Sequence, residues 1–108
     1  NVISVGAIDR AGATSTFSAF GPVKDGRVKP ELVARGVGVL STGLNGATRT
    51  LSGTSMATPA VAGLAALLVD RFRQRNGAAP EPDLLKAILV NTANDLGNPG
   101  PDYSYGYG

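Results

Sequence analysis

The 108 residues carry ten Lys and Arg against eight Asp and Glu, a formal net charge of +2, and no basic run is interleaved with aromatics, so a nucleic-acid footprint is excluded. Cysteine and histidine are both absent, which excludes a disulfide framework and a Cys-based zinc site and removes the commonest general base. The length suits one small domain or part of a larger one, with about 60–70% of the unfolded surface buried on folding.

"NVISVGAI", residues 1–8, is a nearly continuous apolar run rich in Val and Ile, the pattern of a strand buried on both faces of a parallel sheet. It starts without a lead-in, so we expect sequence upstream to belong to the same fold. It has no basic residues followed by an apolar stretch, and no signal peptide is expected. Residues 9–30 are rich in turn formers, with Gly21-Pro22 and Asp25-Gly26 pairs. "ELVARGVGVLST" and "ATRTLS" read as short strands around the loop "GLNG".

Residues 55–75 give the strongest helix signal. The first half, "MATPAVAGLAALLV", is apolar on every side and predicts a helix buried at the centre of a domain. The second half is polar, and Arg71, Arg73 and Arg75 suit a solvated helix C-terminus, with Asn76-Gly77 as a left-handed stop. Pro59 is expected in the first turn, where its missing N–H is harmless. The longest apolar run, residues 59–69, is too short to span a bilayer. Residues 81–97 predict a second helix, opened by Pro82 and Asp83, striped by Leu85, Ile88, Leu89 and Leu96, and ended by Gly97. The tail, "NPGPDYSYGYG", reads as a loop leading into a further strand. Strands alternating with helices predict an α/β layered arrangement.

The segment "TLSGTSMATP" admits two readings. In one, Ser52 or Thr54 caps the long helix and Ser55 is a first-turn residue without further role. In the other, Ser55 is a nucleophile. Backbone N–H groups in a first helical turn lack intrahelical partners, so they can hold a developing oxyanion. Gly53 then lets a substrate backbone approach.

"GTSMATP" followed by "VAGLAALL" closely resembles the nucleophile segment of the subtilisin-like serine proteases, the subtilases. "NVISVGAID", "TFSAFGP", "GRVKPELVARG", "LLKAILVNTA" and "GPDYSYGYG" resemble further segments of that family in family order, so the resemblance covers essentially all 108 residues. It implies a parallel-sheet, three-layer α/β fold, of which residues 1–108 are a C-terminal portion. It implies Ser55 as nucleophile and its own N–H as one oxyanion donor. Thr54 would support that hole, Gly53 would admit substrate, Met56 would pack behind the serine, and Ser52 and Leu51 would border the leaving-group side of the cleft.

The resemblance also implies what this chain does not contain. The family's histidine base, its orienting Asp and the side-chain oxyanion donor lie in upstream segments, so the chain alone is expected to be inert. The expected partners are a peptide or protein substrate and the upstream part of the same catalytic domain, with no nucleic acid and no membrane span in the chain. No cofactor is expected here; calcium is common in the family, but no ligands for it are assigned in this chain. An extracellular or cell-envelope location is the family expectation. The chain departs from the family pattern at Ala34-Arg35-Gly36, where Ala-Pro-Gly is frequent, and at Pro59-Ala60-Val61, where Pro-His-Val is frequent.

Three alternatives stand beside this reading. Sedolisin-like peptidases also carry a Gly-Thr-Ser segment and use no histidine base. A non-catalytic relative could serve as a scaffold or binding module. The Gly-x-Ser-x-Gly elbow of α/β-hydrolases fits poorly, because residue 57 is Ala and no His follows.

Overall fold

The computed structural model describes residues 2–108, so the first residue of the expected opening strand lies outside the described residues. Strand β1 (Val5–Ile8) runs parallel to β2 (Leu32–Arg35), with Val5 opposite Leu32 and Ile8 opposite Arg35. Strands β3 (Val39–Thr42) and β4 (Thr48–Leu51) form a separate antiparallel hairpin. A short 3-10 turn at Leu44–Gly46 closes it, with Asn45 in the left-handed region at φ 56°. Helix α1 (Thr54–Asn76) and helix α2 (Pro82–Asn91) follow. Strands and helices thus mix in one α/β unit, as expected. The opening strand is shorter than the apolar run suggests, and burial is complete at Gly6 and Ala7 but partial at Val5 and Ile8.

Helix α1 starts on Thr54, and Gly77 ends it in the left-handed conformation at φ 77°, its N–H bonded to the Arg73 carbonyl. Neither Ser52 nor Thr54 supplies a side-chain cap; Gly53 is the N-cap residue. Pro59 is the sixth helical residue rather than a first-turn residue, so the Ser55 carbonyl four positions back receives no helical N–H.

Helix α2 ends six residues before Gly97. Thr92 donates both its N–H and its hydroxyl to the Ile88 carbonyl, at 3.1 and 2.8 Å. Beyond it, Asp95 accepts from the Gly100 N–H and Asp102 from the Asn98 N–H. Short polar side chains that compete for backbone groups favour such a loop over further helix. Leu96 therefore reaches the apolar groove beside Leu89 from a loop, not from a helical stripe. The tail does not form a further named strand. Its Tyr107 N–H bonds the Glu31 carbonyl at 2.9 Å, and its Gly108 carbonyl accepts from Val33 at 3.0 Å, along the edge of β2 away from β1.

The expected central burial of α1 is not met within these residues. Ala57 is its one buried residue, while Leu64 and Leu67 are 50% and 69% exposed. The helix packs chiefly against β1, β2 and α2. The slab measures 40 × 39 × 24 Å and exposes 7115 Å². A folded monomer of this mass exposes about 5,600 Å², so the excess is on the order of 1,500 Å². Among the described residues α1 alone is long and apolar enough, by length and composition, to cross a membrane; in this fold it is a sheet-packing helix.

The ionic centre of the unit is Glu31, 5% exposed. Its Oε2 accepts from the Ser4 N–H at 2.7 Å. Its Oε1 accepts from Lys29 and, at 2.7 Å, from Lys86 on α2. Lys86 also donates to the Val2 carbonyl at 3.1 Å. Burial on its own raises the carboxyl pKa, but the hydrogen bonds from Lys29, Lys86 and the Ser4 amide outweigh it and hold the group at about 2. A depressed carboxyl contributes stability that is complete above its ordinary value near 4.5 and is lost as pH falls toward 2. Glu31→Gln should cost about 2 kcal/mol at neutral pH. Denaturant unfolding of the protein carrying this segment should show the gap between wild type and variant closing from pH 4.5 to pH 2. A gap independent of pH over that window would refute the assignment.

Candidate active site

Both parallel strands end at the same edge, and the serine segment is attached there. Gly36 follows the last residue of β2, and its N–H donates to the carbonyl of Ile8, the last residue of β1, at 2.9 Å. The Gly36 carbonyl then accepts from the Gly53 N–H at 2.8 Å. Two residues on, the Gly38 N–H donates to Ser52 Oγ at 3.0 Å. Position 36 must be glycine on packing grounds: a Cβ there would lie 2.6 Å from Ala7 Cβ and 2.7 Å from the Gly53 carbonyl oxygen. Binding sites of open α/β sheets lie outside the carboxyl ends of the parallel strands, and the serine segment meets that edge.

Ser55 is the second residue of α1 and is exposed. In the first turn the Met56 N–H is engaged by the Gly53 carbonyl at 3.0 Å, while the Ser55 N–H has no backbone partner among the described residues. An exposed hydroxyl therefore sits beside a free amide at the positive end of a 23-residue helix. Thr54, half-buried, opens the helix, and its carbonyl accepts from the Thr58 hydroxyl at 2.9 Å. Gly53 is extended. Met56 is half-buried and, with Arg35, Gly38, Val39, Leu40 and Ala60, lines a concavity of about 360 Å³. Leu51 ends β4 opposite Val39 and is 47% exposed.

The six residues singled out in the sequence thus form one continuous strand-end, loop and helix-start. Sequence reasoning missed Gly36 and Gly38, which tether that loop from 14 and more positions away. The Gly-Val-Gly spacing was the available signal, but only long-range contact reveals what it touches.

Glu31, the most perturbed carboxyl, is not part of the site: it lies just before β2, at the opposite end, and is held by two lysines. Among the described residues no three His, Cys, Asp or Glu side chains group as a metal site, so no step through calcium or another metal is derived. With no histidine in the sequence, the arrangement offers a hydroxyl and an unpartnered backbone amide but no imidazole base.

Comparison with known proteins agrees with this architecture. The mouse "Membrane-bound transcription factor site-1 protease" is 40% identical over 102 residues, covering 89% of this chain and 10% of that protein. "Alkaline elastase YaB" of Bacillus sp. (strain YaB) is 41% identical over 98 residues, covering 91% of this chain and 23% of the elastase. The solved CspB protease of Clostridium perfringens superposes with a TM-score of 0.89 at 38% identity, over 99% of this chain and 24% of that one. The chain therefore spans about a tenth to a quarter of the length of these relatives, whose fold is that of subtilisin-like proteases. The model of the "Subtilase family" matches residues 1–108, and the chain belongs to that family.

Proposed function

We propose that the chain is the nucleophile-bearing portion of a subtilisin-like serine endopeptidase and that Ser55 is its nucleophile. The observation that carries this reading is the exposed Ser55 hydroxyl beside its own unpartnered N–H, at the start of a helix tethered to the ends of two parallel strands. In the reaction, Ser55 Oγ attacks the scissile carbonyl carbon of a peptide and gives its proton to a base. The carbonyl oxygen becomes an oxyanion, held by the Ser55 N–H and by a second donor outside this chain. The oxyanion collapses, the C–N bond breaks, the leaving amine takes the proton, and an acyl-enzyme ester remains. Water then attacks that ester with the same base, releasing the acid and restoring Ser55.

The base has no candidate here, since the chain contains no histidine. Removing the histidine of such a triad costs about 10⁶ in turnover. Residues 1–108 alone are accordingly inactive, and the remainder of the catalytic domain supplies the base, its orienting carboxylate and the cover for the exposed faces of α1. Peptide or protein is the substrate class. Kinship with the subtilases also supports an extracellular or cell-envelope location.

A serine-directed fluorophosphonate probe tests the assignment. The full-length enzyme should be labelled at Ser55, and Ser55→Ala should abolish the label. The 108-residue chain alone should take up essentially none; stoichiometric labelling of it would mean that it carries its own base. Label on a different serine of the full-length enzyme would remove Ser55 from the mechanism.

Met56 gives a second test. Its thioether lies next to the nucleophile in sequence, and oxidation to the sulfoxide makes it larger and polar. Peroxide should lower the turnover of the full-length enzyme, and Met56→Ala should resist. Equal loss of turnover in both proteins would place the sensitive group elsewhere.

A further inference from the structure

The three residues Gly36-Val37-Gly38 carry both tethers of the serine segment, through the Gly36 carbonyl and the Gly38 N–H. Two glycines in three residues give this turn wide conformational freedom, and Gly38 uses it, at φ 61°. A tether holds Ser55 still only if the turn that bears it is itself restrained. Arg35 reaches that turn. Its Nε donates to the Val37 carbonyl at 3.4 Å, and its Nη2 to the Gly38 carbonyl at 3.2 Å. These carbonyls are not the groups that bind residues 52 and 53, so the guanidinium and the serine segment grip one turn at four separate points. Among the described residues Arg35 has no carboxylate partner, so ion pairing does not account for its placement.

The backbone explains how a proline could do the same work. Leu32 donates to Ser4 and Gly36 donates to Ile8, so alternate N–H groups of β2 face β1 and that of Arg35 faces the outer edge. A proline at 35 removes no bond to β1 and restrains φ through its ring. The Ala-Arg-Gly of this chain and the Ala-Pro-Gly frequent in its family are then two ways of restraining how the chain enters one turn.

We propose that Arg35 is a positioning residue for the nucleophile: its two guanidinium hydrogen bonds fix the 36–38 turn, which in turn fixes Ser52, Gly53 and Ser55. The inference rests on the reading of Ser55 as nucleophile. Its test measures kcat, KM and the rate of fluorophosphonate labelling in the full-length enzyme and in Arg35→Ala, Arg35→Lys and Arg35→Pro. Arg35→Ala should lower kcat and the labelling rate about tenfold, with KM moving less than about twofold. Arg35→Pro should recover most of kcat. Arg35→Lys should not, because one ammonium cannot present the planar pair of donors.

Recovery by Lys but not by Pro would mean that charge matters, and a loss confined to KM would mean contact with substrate; either overturns the proposal, as does wild-type kcat in Arg35→Ala. Should Arg35→Ala fail to fold, the remaining pair decides: Pro more active than Lys supports the proposal, and Lys equal to or above Pro overturns it. A labelled wild type with unaffected Arg35 variants overturns this inference alone, whereas a wild type without label at Ser55 overturns the nucleophile assignment and this inference with it.

Discussion

The Glu31 carboxylate is the constraint on which the arrangement of the unit depends. Its side chain joins the approach to β1 through Ser4, the approach to β2 through Lys29 and the second helix through Lys86, while its backbone carbonyl receives the tail at Tyr107. With so little apolar burial available to a thin slab, an ion cluster of this kind takes over part of the task of orienting elements. The geometry is permissive for it: the carboxylate is buried, whereas both lysine side chains remain partly exposed and so avoid the full desolvation penalty. Fixing one end of the β1–β2 pair in this way leaves the opposite end to hold the serine segment.

At that opposite end the decisive feature is close approach rather than charge. Gly36 lies where a methyl group would collide with Ala7 and with the Gly53 carbonyl. The small residues of β1, of the turn and of the first turn of α1 let the helix start lie directly on the strand ends. That contact brings a hydroxyl and a free amide to an exposed rim. Chemistry and packing therefore require the same composition, which is why a segment rich in Gly, Ala, Ser and Thr is found where a larger residue would bury more area.

Much of this was legible in the sequence. The long helix was placed to within one residue at either end, because an apolar run bounded by Gly53 and Asn76-Gly77 leaves little freedom. The hairpin around "GLNG" was legible, but residues 31–42, read as one strand segment before it, divide at Gly36–Gly38 into β2 and β3 of different sheets. The overestimated length of α2 has a local cause: Leu96 continues a helical spacing, but Thr92, Asp95 and Asp102 take backbone groups that a helix would need. The position of Pro59 was misjudged in the counting, since even from a start at Ser55 it is the fifth helical residue and lies past the first turn. The expected capping serine instead accepts a hydrogen bond from Gly38, a long-range partner that no local pattern encodes. The place of Ser55 at the start of the helix was legible, while the turn that anchors the preceding segment was not.

Pro59 has a consequence for how the serine is held. A helix ordinarily steadies its first turn by closing carbonyls onto amides one turn ahead, but here the Ser55 carbonyl meets a residue with no amide to give. One helical bond is thereby missing at the start of α1, while the two residues just before it, Ser52 and Gly53, are tied sideways to Gly38 and Gly36. The serine thus follows directly on a segment tied to the turn that ends β2. The long helix could bend or breathe along its polar half, as helices with exposed faces do, without carrying the hydroxyl with it.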